Sequence, residues 1–221
     1  MAFPLTHLCV AYRILESNFL PEADAAQFLL GSIAPDAVHY RTEFLGAEMK
    51  GIGAAKKITH LCPVSNEPWG KVTDNDGWIN CVKDFLAANP PDPLYAGYAA
   101  HVLTDIQNNQ TLWHNFRTSN PQEAAKGYAS TYYDDLRHID MHLYMKLPER
   151  PQIMKLLSKA IPIEIPGLIA REELHAIQNN ILHEHFKNAT LPSDAFKYNF
   201  VNYNDMLTFI KNAAKKIDIL L

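Results

Sequence analysis

Apolar residues recur along most of this chain at the three- and four-residue spacing of α-helices. The helix face that carries His7 also carries three apolar residues, Val10, Ala11 and Ile14. Thr6 precedes them as a good N-cap, so the pattern predicts a first helix that begins near Thr6. A second helix is predicted over residues 21–30, because proline stands at its start and Gly31 just past its end.

Proline and glycine divide the rest of the chain. SIAPDA is predicted to be a loop, since Pro35 disfavours helical geometry at Ala34. Residues 45–57, with three glycines and three lysines, indicate a mobile loop or a weak helix. The next predicted helix carries Trp78, Val82, Phe85 and Leu86 and ends at NPPDP. Two longer helices are predicted over 94–116 and 120–146, and the second of these opens with an Asn120–Glu123 capping box. A short helix is predicted between PERP and IPIEIPG, and two more over 168–187 and 203–220.

Because no run of residues alternates with the two-residue period of a strand, the predicted fold is all-α. We expect a single domain over residues 1–221, built as a bundle of seven or eight helices. That length suits one hydrophobic core.

Composition and charge limit the classes of protein to which this chain could belong. Apolar residues make up 48% of the chain and charged residues 20%, which is ordinary for a globular protein. The net charge of −4 gives no basic surface for duplex nucleic acid. No apolar run reaches the roughly 20 residues of a transmembrane segment, and the start does not resemble a secretory signal, so we expect a cytoplasmic protein. Three cysteines without a CxxC spacing fit reduced thiols.

His101 and Asp105 are the most informative polar residues. They stand four residues apart in GYAAHVLTDIQNN, so an imidazole and a carboxylate lie on one helix face. That face also carries Leu94, Tyr98 and Leu112, and is therefore expected to be at least partly buried. His7 also faces inward, and buried polar groups of this kind need partners.

Two further candidates are identified by their local sequence. Asp36 follows a proline in a short loop at a helix end, and His60 lies in ITHLCP, whose THLC repeats residues 6–9. Three imidazoles and two carboxylates from four elements are a donor set that zinc accepts. Five ligands exceed the need of one tetrahedral ion, so a bridging carboxylate and a second ion are plausible.

Four stretches in this order resemble the zinc-dependent phospholipase C family, an all-helical family related to the single-strand-specific zinc nucleases. They are MAFPLTHL, FLLGSIAPDAVHY, KKITHL and GYAAHVLTDIQNNQTLW. The resemblance covers roughly residues 3–142. Its most specific element is the GxxAPD loop combined with the later Gly-Tyr-x-x-His-x-x-x-Asp helix.

The resemblance implies a set of metal ligands. One zinc would be held by Asp36, His60, His101 and Asp105, and Asp105 would bridge to a second zinc that also takes His7. The mature amino terminus completes the second site in secreted members, whereas this chain starts with a methionine six residues before His7, so one or two ions are expected. The family's third site is expected to be lost, because Thr111, Tyr132 and Leu136 replace its ligands and only Ile139-Asp140 matches.

The resulting hypothesis is a zinc-dependent hydrolase of small anionic phosphate esters, phosphodiester or phospholipid-like. The metal would activate a water, and Asp36 would accept its proton. Two alternatives are a helical protein with a structural zinc and a single-strand nuclease.

Other basic residues have open roles. Three lysines, Lys50, Lys56 and Lys57, could close over the substrate, but we favour a solvated loop. We favour surface roles for His39, His142, His183 and His185, and leave His138 open between a position beside the metal site and the surface.

Overall fold

Helices carry the whole fold in the computed structural model, which describes residues 3–44, 51–65, 67, 70–191 and 196–221. Within these residues there is no β-strand, and one isolated bridge joins Ile165 to Ile169. The all-α prediction is therefore confirmed. The α-helices are α1 (Pro4–Ser17), α2 (Glu22–Gly31), α3 (Ile52–Thr59), α4 (Asn75–Ala88), α5 (Pro93–Gln110), α6 (Leu112–Ser119), α7 (Pro121–Ala124), α8 (Thr131–Lys146), α9 (Arg150–Lys159), α10 (Arg171–Asn179) and α11 (Tyr203–Asp218).

The described residues thus form eleven α-helices, where the sequence predicted seven or eight. The predicted helix over 94–116 breaks at Thr111, which leaves helical geometry (φ −121°, ψ −91°) while its hydroxyl donates to the Gln107 carbonyl at 2.6 Å. The predicted helix over 120–146 is interrupted by a 3-10 turn at Gly127–Ala129, where Gly127 has a φ of 57°. Neither break contains a proline, so the apolar periodicity predicted a continuous helix in both places.

Several predicted boundaries also move. The first helix begins at Pro4, because proline fits the first turn, and Thr6 is buried within the helix instead of capping it. SIAPDA is not an open loop, since a 3-10 helix spans Ala34–Tyr40 with Pro35 in its first turn. The weak-helix alternative for residues 45–57 is correct where the chain is described, since α3 begins at Ile52. A π-helical turn, Asn180–Glu184, extends α10.

The Asn120–Glu123 capping box is wrong. The Asn120 side chain makes no capping hydrogen bond to the helix that follows it. Glu123 instead pairs with Lys126 and accepts the Thr131 backbone N–H at 3.4 Å, which ties α7 to the start of α8.

A close crossing of α2 and α5 positions the polar cluster described below. A Cβ added at Gly97 would lie 2.0 Å from the Phe28 carbonyl oxygen, and one added at Gly31 would lie 2.2 Å from the Leu94 carbonyl oxygen. Glycine at both positions therefore lets the two backbones touch. The crossing brings Ser32, at the C-terminal end of α2, against the next turn of α5, where His101 lies.

None of the helices in the described part of the chain is long and apolar enough to cross a membrane.

Candidate metal centre

Five polar side chains converge on one point between α1, α3 and α5. His7 comes from α1, Asp36 from the 3-10 helix after α2, and His60 from the residue that ends α3, while α5 contributes His101 and Asp105. The four apart from Asp36 are at most 1% exposed, and the Asp36 side chain is 18% exposed. All five residues that the sequence identified are thus brought together, with one side of the cluster open at Asp36.

The ligand atoms form two overlapping sets that share His101. One set is His7, His101 and Asp105, and the other is Asp36, His60 and His101. Within each set, all candidate ligand atoms lie within 4.8 Å of one another. Asp105 also faces both sets, because its Oδ1 lies 3.6 Å from His7 Nε2 and its Oδ2 lies 3.7 Å from His60 Nε2.

These separations are those of ligands around one ion rather than of hydrogen bonds. Zinc–ligand bonds of about 2.0–2.1 Å at the tetrahedral angle place neighbouring ligand atoms about 3.3 Å apart. In the protein, the Nε2 atoms of His60 and His101 are 3.3 Å apart, and His60 Nε2 is 3.5 Å from Asp36 Oδ1. His101 Nε2 lies 4.0 Å from Asp36 and 3.9 Å from Asp105, so these carboxylate oxygens would have to move only slightly closer to His101 to match the ligand separation around zinc.

The protons of two imidazoles are turned away from the centre. His101 Nδ1 lies 2.8 Å from the Ser32 carbonyl oxygen, and His60 Nδ1 lies 3.0 Å from the Lys56 carbonyl oxygen. A carbonyl oxygen only accepts, and the Thr59 hydroxyl, 3.1 Å from His60 Nδ1, can accept as well. We therefore assign the proton to each Nδ1, so that each neutral ring presents an Nε2 lone pair to the centre. Two lone pairs 3.3 Å apart repel unless a cation lies between them.

The buried His7 ring also favours a bound cation in the cluster. Neither of its ring nitrogens has a hydrogen-bond partner among the described residues, although the ring is buried. It stacks on His101 with ring centroids 3.7 Å apart and the planes within 6° of parallel. A buried imidazole without a hydrogen bond is costly, and coordination of a metal would satisfy its Nε2.

Burial dominates the electrostatics of the cluster. It lowers the pKa of His60 to about 3 and that of His7 well below 6.5, with the neighbouring His101 adding to the second shift, so both rings are neutral ligands. Burial raises the pKa of Asp105. Burial also opposes ionisation of Asp36, but the positive charge of Lys56 is the largest opposing effect, and the Asp36 pKa lies well below its usual value.

The end of α3 fixes His60 firmly. Leu61 takes a left-handed conformation (φ 52°) that glycine usually supplies at a helix end, and the Cys62 N–H donates to the Lys57 carbonyl at 2.9 Å. The Trp78 indole N–H donates to the His60 carbonyl at 2.7 Å. Tyr98 donates its hydroxyl to the Thr59 carbonyl, so α4 and α5 both hold this turn.

The solvated loop that we favoured for the lysines is wrong where the chain is described. Lys56 Nζ lies 2.8 Å from Asp36 Oδ1 and 3.1 Å from His39 Nε2. Lys57 instead donates to the carbonyl oxygens of Ser65 and Glu67, at 2.7 and 2.8 Å. Lys50 lies outside the described residues.

The contact of Lys56 with the cluster was missed, although its spacing gave a signal. Lys56 stands four residues before His60 in KKITH, so both residues share a face of α3. The Ser32 carbonyl, by contrast, carries no sequence signal, because any residue offers the same backbone oxygen.

The other histidines lie apart from the two ligand sets, except for His39, whose Nε2 lies 3.1 Å from Lys56 Nζ and 3.7 Å from Asp36 Oδ1. His138 stacks on Phe196 with centroids 3.7 Å apart, and His142 stacks on Tyr203 at 4.0 Å. His185, expected at the surface, lies 3.3 Å from the buried carboxylate of Asp140. At the positions of the family's third site, Leu136 is buried, and the buried Tyr132 hydroxyl donates to Asn108 at 2.6 Å.

No family model, curated protein or solved structure matches the chain. The resemblance to zinc-dependent phospholipases C therefore stays a prediction that rests on its sequence motifs.

The donor set itself fits a divalent transition metal. Two neutral imidazoles with outward protons, a third imidazole without a hydrogen bond and two carboxylates are nitrogen and oxygen ligands that zinc accepts. The carbonyl partners of His60 and His101 orient the rings, as the hydrogen-bond partners of metal-bound histidines commonly do.

Proposed function

We propose that the protein is a zinc-dependent hydrolase of small anionic phosphate esters. The observation that carries this proposal is the pair of Nε2 lone pairs of His60 and His101, 3.3 Å apart, with both protons donated elsewhere. Asp36 and Asp105 on either side supply the negative charge that a divalent ion requires.

Each residue has a proposed part. Asp36, His60 and His101 would hold one ion, with Asp105 as a further ligand. His7 and Asp105 could hold a second, because the single Nε2 lone pair of His101 serves one ion only. The bound metal would supply a water of lowered pKa and positive charge next to the phosphoryl oxygens. Asp36 would help to hold the metal and would accept the proton of the attacking water. Its low pKa keeps it ionised for both roles, although it also makes Asp36 a weak proton acceptor.

Exposure of the cluster favours catalysis over a purely structural metal. Structural zinc sites are closed, whereas catalytic sites keep an accessible position. The Asp36 side chain is 18% exposed, and the neighbouring His39 side chain is 39% exposed, so a small substrate could approach from this side. A structural zinc therefore stands as the alternative that the experiment has to exclude.

We also infer a reducing compartment, the cytoplasm, for this protein. Cys9, Cys62 and Cys81 are all free thiols. An intracellular hydrolase does not depend on disulfides for its stability, and reduced cysteines fit that environment.

The proposal is tested by metal content and by hydrolysis of a panel of phosphomonoesters and phosphodiesters. The wild type should contain zinc and hydrolyse at least one ester. His101→Ala removes the ligand that both sets share and should abolish metal binding and activity, whereas the matched variant His138→Ala, outside both sets, should retain both. Bound zinc without hydrolysis of any ester, combined with a large loss of stability when it is removed, would identify a structural metal instead.

A further inference from the structure

Lys56 is a charged residue, among those the structure describes, that directly contacts the cluster. Its ammonium lies 2.8 Å from Asp36 Oδ1, and the same oxygen lies 3.5 Å from His60 Nε2. Its backbone carbonyl accepts the proton of His60 Nδ1. The residue therefore orients one proposed ligand through its backbone and contacts another through its side chain.

The ammonium is held in place rather than solvated. The Lys56 side chain is 13% exposed, and its Nζ lies 3.1 Å from His39 Nε2, which is itself 3.7 Å from Asp36 Oδ1. A lysine ammonium can only donate, so His39 accepts from it and acts as a positioning residue.

Neighbouring basic residues have other partners. Lys57 donates to the carbonyl oxygens of Ser65 and Glu67, and Arg41 pairs with Glu173 at 2.8 Å while also donating to the Leu168 carbonyl. Lys56 is thus the basic side chain that these contacts direct towards the cluster.

The positive charge of Lys56 affects which substrate charge the site would prefer. A single divalent ion would be neutralised by Asp36 and Asp105, since its two positive charges meet two carboxylates. Lys56 then adds a net positive charge at the accessible side. Attraction between this charge and a substrate increases with the charge of the substrate, and a phosphate monoester carries up to two negative charges where a diester carries one.

We propose that Lys56 binds a non-bridging oxygen of the phosphate group and makes the site prefer doubly charged phosphate monoesters over diesters. This inference rests on the proposed function. An ion held by Asp36 and His60 would share the Asp36 oxygen that Lys56 contacts, so an oxygen of the substrate next to that ion would lie within reach of the ammonium. His39 holds the ammonium beside Asp36, because its Nε2 lies near both Lys56 Nζ and Asp36 Oδ1.

The experiment measures binding of inorganic phosphate to the zinc-loaded protein by isothermal titration calorimetry, with zinc content determined for every sample. Lys56→Met should weaken phosphate binding about tenfold or more, because it removes one charge close to the anion. The matched control Lys57→Met removes a charge from the next residue and should change the affinity less than about twofold, because the Lys57 ammonium is bonded to the Ser65 and Glu67 carbonyls rather than to the cluster. The ratio of monoester to diester hydrolysis should fall in Lys56→Met alone.

The outcomes separate this inference from the proposed function. Zinc-loaded Lys56→Met that binds phosphate as tightly as the wild type would overturn the role of Lys56 and leave the metal site intact. Loss of zinc from Lys56→Met, with zinc retained in Lys57→Met, would also overturn it, because Lys56 would then position Asp36 rather than bind the anion. A wild-type protein that binds no zinc would instead refute the proposed function itself.

Discussion

Two regions of the molecule each enclose a pair of aspartates, and their partners differ in kind. On α8, Asp135 accepts backbone N–H groups of Asn199, Phe200 and Val201 at 2.6–3.1 Å. Also on α8, Asp140 accepts the Leu5 N–H at 3.0 Å and lies 3.3 Å from His185. Both α8 carboxylates thus accept short hydrogen bonds from N–H donors.

In the cluster, Asp36 accepts a hydrogen bond from Lys56 at 2.8 Å, but both aspartates also face imidazole nitrogens at longer distances. Asp105 lies 3.6–3.9 Å from His7, His60 and His101, which is too long for a hydrogen bond. The Nε2 atoms of His60 and His101 offer lone pairs rather than protons. Asp105 is as buried as Asp135 and Asp140, so burial does not distinguish these three carboxylates. The kind of partner does: N–H donors surround the α8 carboxylates, whereas Asp105 faces imidazole nitrogens beside which a cation would fit.

The sharpest test of this comparison exchanges a carboxylate for an amide in each region. Asp105→Asn should lower phosphate-ester hydrolysis on the order of a thousandfold, because a neutral amide replaces an anionic ligand that faces both sets. Asp135→Asn should leave activity per folded molecule unchanged and instead lower the free energy of unfolding by about 2 kcal/mol, because several N–H groups lose a charged acceptor. Activity assays and denaturant titrations of both variants measure the two effects.

The reverse outcome would break the comparison. If Asp135→Asn abolished hydrolysis while Asp105→Asn only reduced stability, the catalytic centre would lie at α8 and the cluster would be structural.

Metal removal should affect the two regions unequally. Zinc that binds only the folded state stabilises it by about 4 kcal/mol at a thousandfold excess over the dissociation constant, so a chelator should lower the melting temperature. Hydrogen exchange should quicken in α1 and in the Ala34–Tyr40 helix, but not at the amides of Asn199–Val201 that Asp135 holds. His101→Ala, which lacks the shared ligand, should show no shift with chelator. A melting curve that stays the same after the metal is shown to be gone would contradict this role.

Periodicity predicted part of this arrangement. His7, His101 and Asp105 lie on helix faces that apolar neighbours mark as inward, and all three are buried as expected. Asp36 and His60 were found from proline punctuation and a repeated tetrapeptide, which indicate candidates but not where they meet.

The meeting point depends on tertiary packing that local patterns do not encode. Gly31 and Gly97 permit the close crossing that sets the Ser32 carbonyl on His101, and each glycine alone resembles an ordinary helix end or helix interior. The break at Thr111 escaped prediction because its cause is a hydroxyl–carbonyl hydrogen bond rather than a helix-breaking residue. Lys56 was assigned to solvent because a charged side chain near glycines is usually solvated, whereas here Asp36 and His39 hold it.

Acid should also distinguish the cluster from the rest of the metal-free protein. Burial lowers the pKa of His60 to about 3, and it lowers that of His7 well below 6.5. Between pH 6.5 and 3, His7 and His60 therefore bind protons in the unfolded chain but stay neutral in the folded protein. The free energy of unfolding should then fall as the pH falls, by up to about 1.4 kcal/mol per pH unit for each histidine. Asp105 acts in the opposite sense, because burial raises its pKa and the folded state takes up its proton first.

The contribution of His60 is isolated by His60→Gln, which cannot titrate in either state. Urea titrations of the metal-free protein from pH 6.5 to 5 should show a shallower loss of stability in this variant than in the wild type. The control His114→Gln replaces an exposed imidazole outside the cluster and should retain the wild-type slope. Equal slopes for the wild type and His60→Gln would mean that His60 is protonated in the folded protein. A protonated His60 would donate to Asp36 instead of offering the lone pair on which the metal site depends.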